Sequence, residues 1–224
     1  MLLINCKNYT NMSDNDTRNF VRGAHEVSRN SGTEIVISPP QHLLKWLTGL
    51  GINIMAQHVD TASPGSSTGH ITPELLKNSG IYGTIINHSE HRIPPDDIKK
   101  TIHTLKELKM VSVVCTQSVD ETIMCARMRP DYVAIEPPEL IGTGKSISTQ
   151  QPTLIRDARS GMNKLDTHTR LLCGAGIVNG RDVSAALRLG ASGVLVASGV
   201  VKVDEPLQVL EELADVFVHQ PEEK

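Results

Sequence analysis

The sequence predicts an α/β protein, a closed (β/α)8 barrel of parallel strands. Eight short runs rich in Ile and Val recur along it, each bounded by turn residues. They are nearly continuous in hydrophobicity, as suits strands covered on both faces. Helical spacing fills the intervals, so β and α alternate eight times. An open doubly wound sheet fits that alternation too, but eight near-regular units in 224 residues favour the barrel. No linker or charge run divides the chain, which makes residues 1–224 one domain.

The first run, Leu2–Cys6, leads into Lys7. The second is Glu34–Ser38 and the third Ile52–Gln57; ends at 38 and 57 leave room for only a short helix between them. The fourth is Thr84–Asn87. After it, Ile98, Ile102, Leu105 and Leu108 follow i, i+4, i+7, i+10, with Lys99, Lys100, Lys106 and Lys109 on other faces. The fifth, Val111–Cys115, is again followed by a short helix, because the next strand already ends near 136. The sixth, Tyr132–Ile135, runs into Glu136. The seventh, Leu171–Cys173, precedes the apolar stripe Val183, Ala186, Leu187 and Leu189. The eighth, Gly193–Val196, precedes Leu207, Leu210, Leu213, Ala214 and Phe217. Pro73, Pro94 and Pro206 sit near helix starts, where a missing N–H is harmless. The polar tail Gln220–Lys224 is expected to fray.

Composition narrows the function. Hydrophobic residues are 39% and charged residues 21%, which excludes disorder, collagen and coiled coil. The net charge of −3 makes a poor general nucleic-acid binder, since phosphate neutralisation needs a basic face, and 3% aromatics gives few rings for stacking on single strands. Cys6, Cys115, Cys125 and Cys173 fit neither a paired CxxC metal site nor a disulfide framework, and read as reduced thiols in the cytoplasm. No apolar run reaches the ~20 residues of a membrane span, and the start, MLLINCKNYT, lacks the features of a secretory signal. The N-x-S/T sequences at Asn8, Asn11 and Asn87 then carry no meaning.

The residues just past each strand are the informative ones. Asn5 and Lys7 close the first, Gln57-His58 the third, Asn87-His88-Ser89-Glu90 the fourth and Glu136 the sixth. Gly174-Ala175-Gly176 comes after the seventh and Ala197-Ser198-Gly199 after the eighth. In a barrel these ends share the face that carries chemistry, and glycine-rich turns after strands seven and eight suit a phosphate held by backbone N–H groups. Each residue alone has a plain alternative: Lys7 a solvated lysine, Glu136 a salt-bridge partner. His88 and His91 form an HxxH pair without a matching third ligand, so they read as a turn rather than a metal site. Gly142-Thr143-Gly144-Lys145-Ser146 fails as a P-loop because Glu139 stands where glycine is needed. Gly174-Ala175-Gly176 fails as a dinucleotide fingerprint at Asn179.

Together these stretches resemble the triosephosphate isomerase family, whose fold is the TIM barrel. The resemblance is carried by Asn5-Cys6-Lys7, Ala56-Gln57-His58-Val59-Asp60, Thr68-Gly69-His70 and Asn87-His88-Ser89-Glu90-His91-Arg92. It continues through the block from Ala134 to Lys145, then Cys173-Gly174-Ala175-Gly176-Ile177 and Leu195-Val196-Ala197-Ser198-Gly199. The last two have the form of the archaeal branch. The matches run in order from residue 5 to about 200.

The resemblance implies a cofactor-free, metal-free aldose–ketose isomerase acting on a sugar phosphate in glycolysis and gluconeogenesis. Dihydroxyacetone phosphate and D-glyceraldehyde 3-phosphate would interconvert through an enediolate. Glu136 would be the base and His88 a neutral donor, with a helix N-terminus at Ser89-Glu90 beneath it. Lys7 would supply positive charge, Asn5 would help position substrate, and Glu90 would assist from behind. Ile141, Gly142, Gly176, Ala197 and Ser198 would surround the phosphate, mainly through backbone N–H groups. Pro137 to Ser146 would be a lid that excludes water. Thr68, on the long third loop, would dock into a neighbouring subunit, giving a homo-oligomer, dimer or tetramer. No nucleic-acid or membrane partner is implied.

Several positions depart from the common family pattern. His91 replaces an arginine and His70 a frequent acid, so a contact between these two positions is expected to be rebuilt. Gly176 replaces a frequent serine, and Ala197 and Ser198 replace two glycines. Cys6 is expected to face away from Asn5 and pack. Two rivals stay open at this stage. One is another phosphate-binding barrel enzyme of an indole or histidine pathway, which would lack the N-H-S-E block and the lid. The other is a silent sugar-phosphate binder, which would have lost Lys7, His88 or Glu136.

Overall fold

The computed structural model describes residues 1–218; the tail expected to fray lies outside the described residues. Eight parallel strands close on themselves: β1 (Leu2–Asn5), β2 (Ile35–Ser38), β3 (Asn53–Ala56), β4 (Gly83–Ile86), β5 (Val111–Thr116), β6 (Tyr132–Ile135), β7 (Arg170–Cys173) and β8 (Gly193–Val196). The β1 strand pairs with β2 in the register Leu3 to Val36, and with β8 in the register Leu3 to Leu195, which completes the ring.

Alternation along these strands explains why their sequences read as unbroken apolar runs. Leu3, Val36, Met55, Ile85, Val113, Ala134, Leu172 and Leu195 belong to an inner core. Their neighbours Leu2, Ile4, Ile35, Ile37, Ile54, Ile86, Val114, Val133 and Ile135 belong to an outer core beneath the helices. Each strand therefore buries both faces.

Ten α-helices accompany them among the described residues, and local chemistry sets their ends. The helix α1 (Asp14–Ser31) starts with a capping box between Ser13 and Asp16 and stops at Gly32 with φ 71°. It buries Phe20, Val21, Ala24 and Val27, and packs on α10 (Pro206–Val218). Unit two holds a 3-10 turn, Gln41–Leu43, and one turn of α2 (Leu44–Leu47). Unit five holds the eight-residue α5 (Val119–Ala126), capped by Ser118. Both are as short as the strand spacing predicts. In unit three a long loop precedes α3 (Pro73–Asn78). The stripe Ile98, Ile102 and Leu105 is buried on α4 (Pro95–Glu107). The remaining helices are α6 (Ile147–Gln150), α7 (Pro152–Asn163), α8 (Gly180–Arg188) and α9 (Ser198–Val201). Pro73 and Pro206 open their helices; on α4 Pro94 is the cap and Pro95 the first residue.

All four cysteines are buried and unpaired in disulfides. Cys6 packs in the outer core, as expected, and burial pushes its thiol up to about 12. No helix among the described residues is long and apolar enough to cross a membrane.

Candidate active site

Two left-handed residues begin the site. Lys7, just past β1, has φ 50°. The Asn5 side chain accepts its N–H at 3.0 Å. The Gln57 amide donates to its carbonyl at 2.9 Å and to the Ser38 carbonyl at 3.3 Å. The turn is thus held from both sides, and it carries the lysine side chain inward. Its Nζ bonds Glu90 Oε1 at 2.6 Å. Asn87, past β4, has φ 61°. Its side chain donates to the Cys115 carbonyl at 3.0 Å and accepts from the Ile93 N–H at 3.1 Å. Asparagine tolerates this conformation better than most side chains, and it directs His88 inward.

His88 is buried, and its Nδ1 accepts the Glu90 N–H at 3.2 Å. A neutral ring holding that bond carries its proton on Nε2. Nε2 stands 3.8 Å from Glu136 Oε2. The helix N-terminus expected at Ser89-Glu90 is absent. A single turn closed by His91 N–H to the His88 carbonyl occupies that stretch, and α4 begins only at Pro95. Pro94 and Pro95 delay the helix because the residue before a proline avoids helical angles. The Glu90 N–H of that turn is the donor that reaches the ring.

Glu136 comes directly after β6 and is 4% exposed. Its N–H bonds the Thr116 carbonyl, and its Oε2 has no hydrogen-bond partner. The Cys115 thiol lies beside it; burial first, then the charge and hydrogen bond of Glu136, hold that thiol well above its usual range. A Cβ at Gly174 would overlap the Glu136 side chain. Gly176, with φ 70°, lies against the lid so closely that a Cβ would overlap the Lys145 carbonyl. That contact accounts for glycine where the family often has serine.

The segment expected to be a lid contains a 3-10 turn at Pro138–Leu140, then Gly142 and Gly144 with φ 74° and 70°. Thr143 Oγ1 donates to the Leu140 carbonyl at 2.9 Å, and Ser148 Oγ ties the far end to the Asp182 carbonyl at 3.1 Å. Lys7, His88, Glu136, Ile141, Gly142, Gly176, Ala197 and Ser198 line one cavity of about 40 Å³, room for a few waters. Asn5 and Glu90 stand one step back, acting on Lys7 and His88. Thr68 is exposed on the third loop and does not reach the cavity. A larger groove of about 710 Å³ opens at the other end of the barrel near Arg129 and Arg170. It gathers none of the strand-end residues that line the smaller cavity.

The third loop closes through Asp60 and Ile71, whose backbones bond at 2.8 Å. The expected contact between His70 and His91 is not made. His70 reaches Asp60 of its own loop at 3.5 Å, while His91 stacks on His58 with centroids 3.9 Å apart. Two imidazoles cannot form the ion pair that an arginine and an acid would, so each takes a nearer partner.

Sequence reasoning passed over Gln57 as a support, Cys115 beside the carboxylate, and Tyr9, which also lines the cavity. Only strand register brings Cys115 to Glu136; alternation from Val113 was the available signal.

The sequence model of the triosephosphate isomerase family matches residues 1–213. The chain belongs to the triosephosphate isomerase family. It is therefore an isomerase of the aldose–ketose class. It is 46% identical over 217 residues to the triosephosphate isomerase of Cenarchaeum symbiosum, covering 97% of each chain. It is 40% identical to that of Methanocaldococcus jannaschii, covering 95% of this chain and 98% of the relative. The triosephosphate isomerase of Methanosarcina mazei is 37% identical, with 95% of this chain and 96% of the relative covered.

Proposed function

We propose that this chain interconverts dihydroxyacetone phosphate and D-glyceraldehyde 3-phosphate by Glu136 and His88 proton transfer through an enediolate. One observation carries the reading: a buried carboxylate oxygen without a partner faces a histidine Nε2 at 3.8 Å, in a cavity that Lys7 also lines. Glu136 removes a proton from the carbon beside the carbonyl. His88 donates from Nε2 to the carbonyl oxygen as negative charge develops there, and Lys7 adds fixed positive charge. Glu136 then returns its proton to the neighbouring carbon, and His88 recovers its own from the other oxygen. No external base, oxidant or cofactor is needed for that balance.

The phosphate sits among the backbone N–H groups of Gly142, Gly176, Ala197 and Ser198, with Ile141 against it. This local arrangement offsets the acidic net charge. The lid excludes water, which otherwise lets the enediolate lose phosphate. Asn5 and Glu90 set Lys7 and His88. The whole chain acts as one barrel domain in the cytoplasm, in glycolysis and gluconeogenesis. It is a homo-oligomer, dimer or tetramer, docked in part through Thr68.

The test is isomerisation of glyceraldehyde 3-phosphate by the wild type beside Glu136→Gln. The variant should lose ~10²–10⁴-fold in kcat, the usual worth of a positioned base. Equal rates would sink the base assignment. An inactive wild type would sink the function.

A further inference from the structure

Two side chains outside the catalytic machinery meet next to the wall of the cavity that Ala197 and Ser198 line. Tyr9 is part of that lining, and exposed Lys202, which lies outside the lining, holds its Nζ 3.9 Å from the Tyr9 ring centroid. The Lys202 N–H donates to the Ser198 carbonyl at 3.2 Å, closing the last turn of α9. Asn11, two residues past Tyr9, donates from its amide to the Val201 carbonyl at 2.6 Å. The first loop therefore grips the segment that runs on from Ala197 and Ser198, by an amide on its backbone and by a ring on its cation.

The charge balance gives this grip a purpose. Lys7 is the cation among the cavity-lining residues, and its Nζ is already 2.6 Å from Glu90. A phosphate dianion entering an acidic protein gains from a second cation held close. Lysine is a long, mobile side chain; the negative face of a tyrosine ring gives its ammonium a fixed place. We propose that Tyr9 and Lys202 form a phosphate-specificity pair, in which Tyr9 stations the ammonium beside the cavity wall and fixes the 197–202 segment. This inference rests on the reading of the cavity as a triose-phosphate site.

The test uses wild type, Lys202→Met, Lys202→Arg and Tyr9→Leu, with thermal unfolding checked for each. Inorganic phosphate binding is measured by NMR titration. Turnover is measured with glyceraldehyde 3-phosphate and with unphosphorylated glyceraldehyde. Lys202→Met should weaken phosphate binding and raise KM for the phosphorylated substrate about fivefold, with kcat moving less than about twofold. The ratio of kcat/KM between the two substrates should fall by a similar factor, and Lys202→Arg should restore it. The difference between wild type and Lys202→Met should shrink at high salt. Tyr9→Leu should behave like Lys202→Met. Unchanged phosphate binding in Lys202→Met, or parallel losses on both substrates, would overturn the proposal. A wild type that binds phosphate but isomerises nothing would overturn the proposed function instead, and the titrations would still decide the pair.

Discussion

His88 Nε2 and Glu136 Oε2 face each other at 3.8 Å, both buried and neither within hydrogen-bonding distance of the other. The distance leaves each free to engage a third group, which is the condition for an acid and a base to serve one substrate.

That relationship makes carboxylate position testable without removing the charge. Glu136→Asp withdraws the carboxylate by one methylene, about 1.5 Å. A misplacement of that size costs on the order of 10²-fold. The kcat should fall by about that factor while KM changes little. An unchanged kcat would show that the carboxylate acts elsewhere.

Gly174→Ala tests the same position from behind. The added methyl would overlap Glu136, whose side chain is more easily moved than backbone. A loss of turnover of at least about tenfold is expected. The unfolding midpoint should fall by only a few degrees. Full activity would show that the glutamate can shift aside without leaving its working position.

The stacked pair predicts acid sensitivity. Burial first, and then His91, hold His58 below its usual 6.5, although Asp60 opposes both. Below that value the unfolded chain binds the proton more readily than the fold does. Stability is then fully present above about 6.5 and falls as the pH drops below it. Asp60 is itself held below 3.8, so its own contribution fades only at still lower pH. Denaturant unfolding at pH 7.5 and 5.5 should show the loss, and His58→Asn should flatten it. Equal slopes in both proteins would remove His58 as the cause.

The buried thiols predict the opposite trend at high pH. Cys6 and Cys125 are both pushed up to about 12 from 9.0, mainly by burial. Above about 9 the unfolded chain loses these protons and the fold keeps them, so stability falls as pH rises. Cys6→Ala should weaken the pH dependence between 8.5 and 10.5 in an unfolding titration. An unaltered curve would exclude that thiol.

The parallel strands were legible because burial on both faces leaves near-continuous apolar runs, and eight near-regular units turned that reading toward a barrel rather than an open sheet. The apolar runs overshoot the strands by one residue at Cys6, Gln57 and Asn87. Hydropathy does not record where φ changes sign, and Lys7 and Asn87 turn the chain there. Lys7, His88, Glu136, Gly176, Ala197 and Ser198 were legible because they come after strands at the same end of one sheet. The His91 stack was not, since it depends on how the third loop crosses the fourth, a path no local pattern encodes. Cys115 was hidden for a related reason, as its neighbour comes from the next strand over.

The left-handed residues are unequal in what they permit. Lys109 and Arg129 have φ 54° and 59° just beyond α4 and α5, where glycine is the usual choice. Either could become glycine and relieve up to about 1 kcal/mol of backbone strain. Lys7 and Asn87 bear the same conformation, but each supplies a side chain that glycine would delete. At Lys109 and Arg129 the barrel is therefore free to drift toward greater robustness. Lys7 and Asn87 are held where they are by a local cost that selection for stability alone would remove.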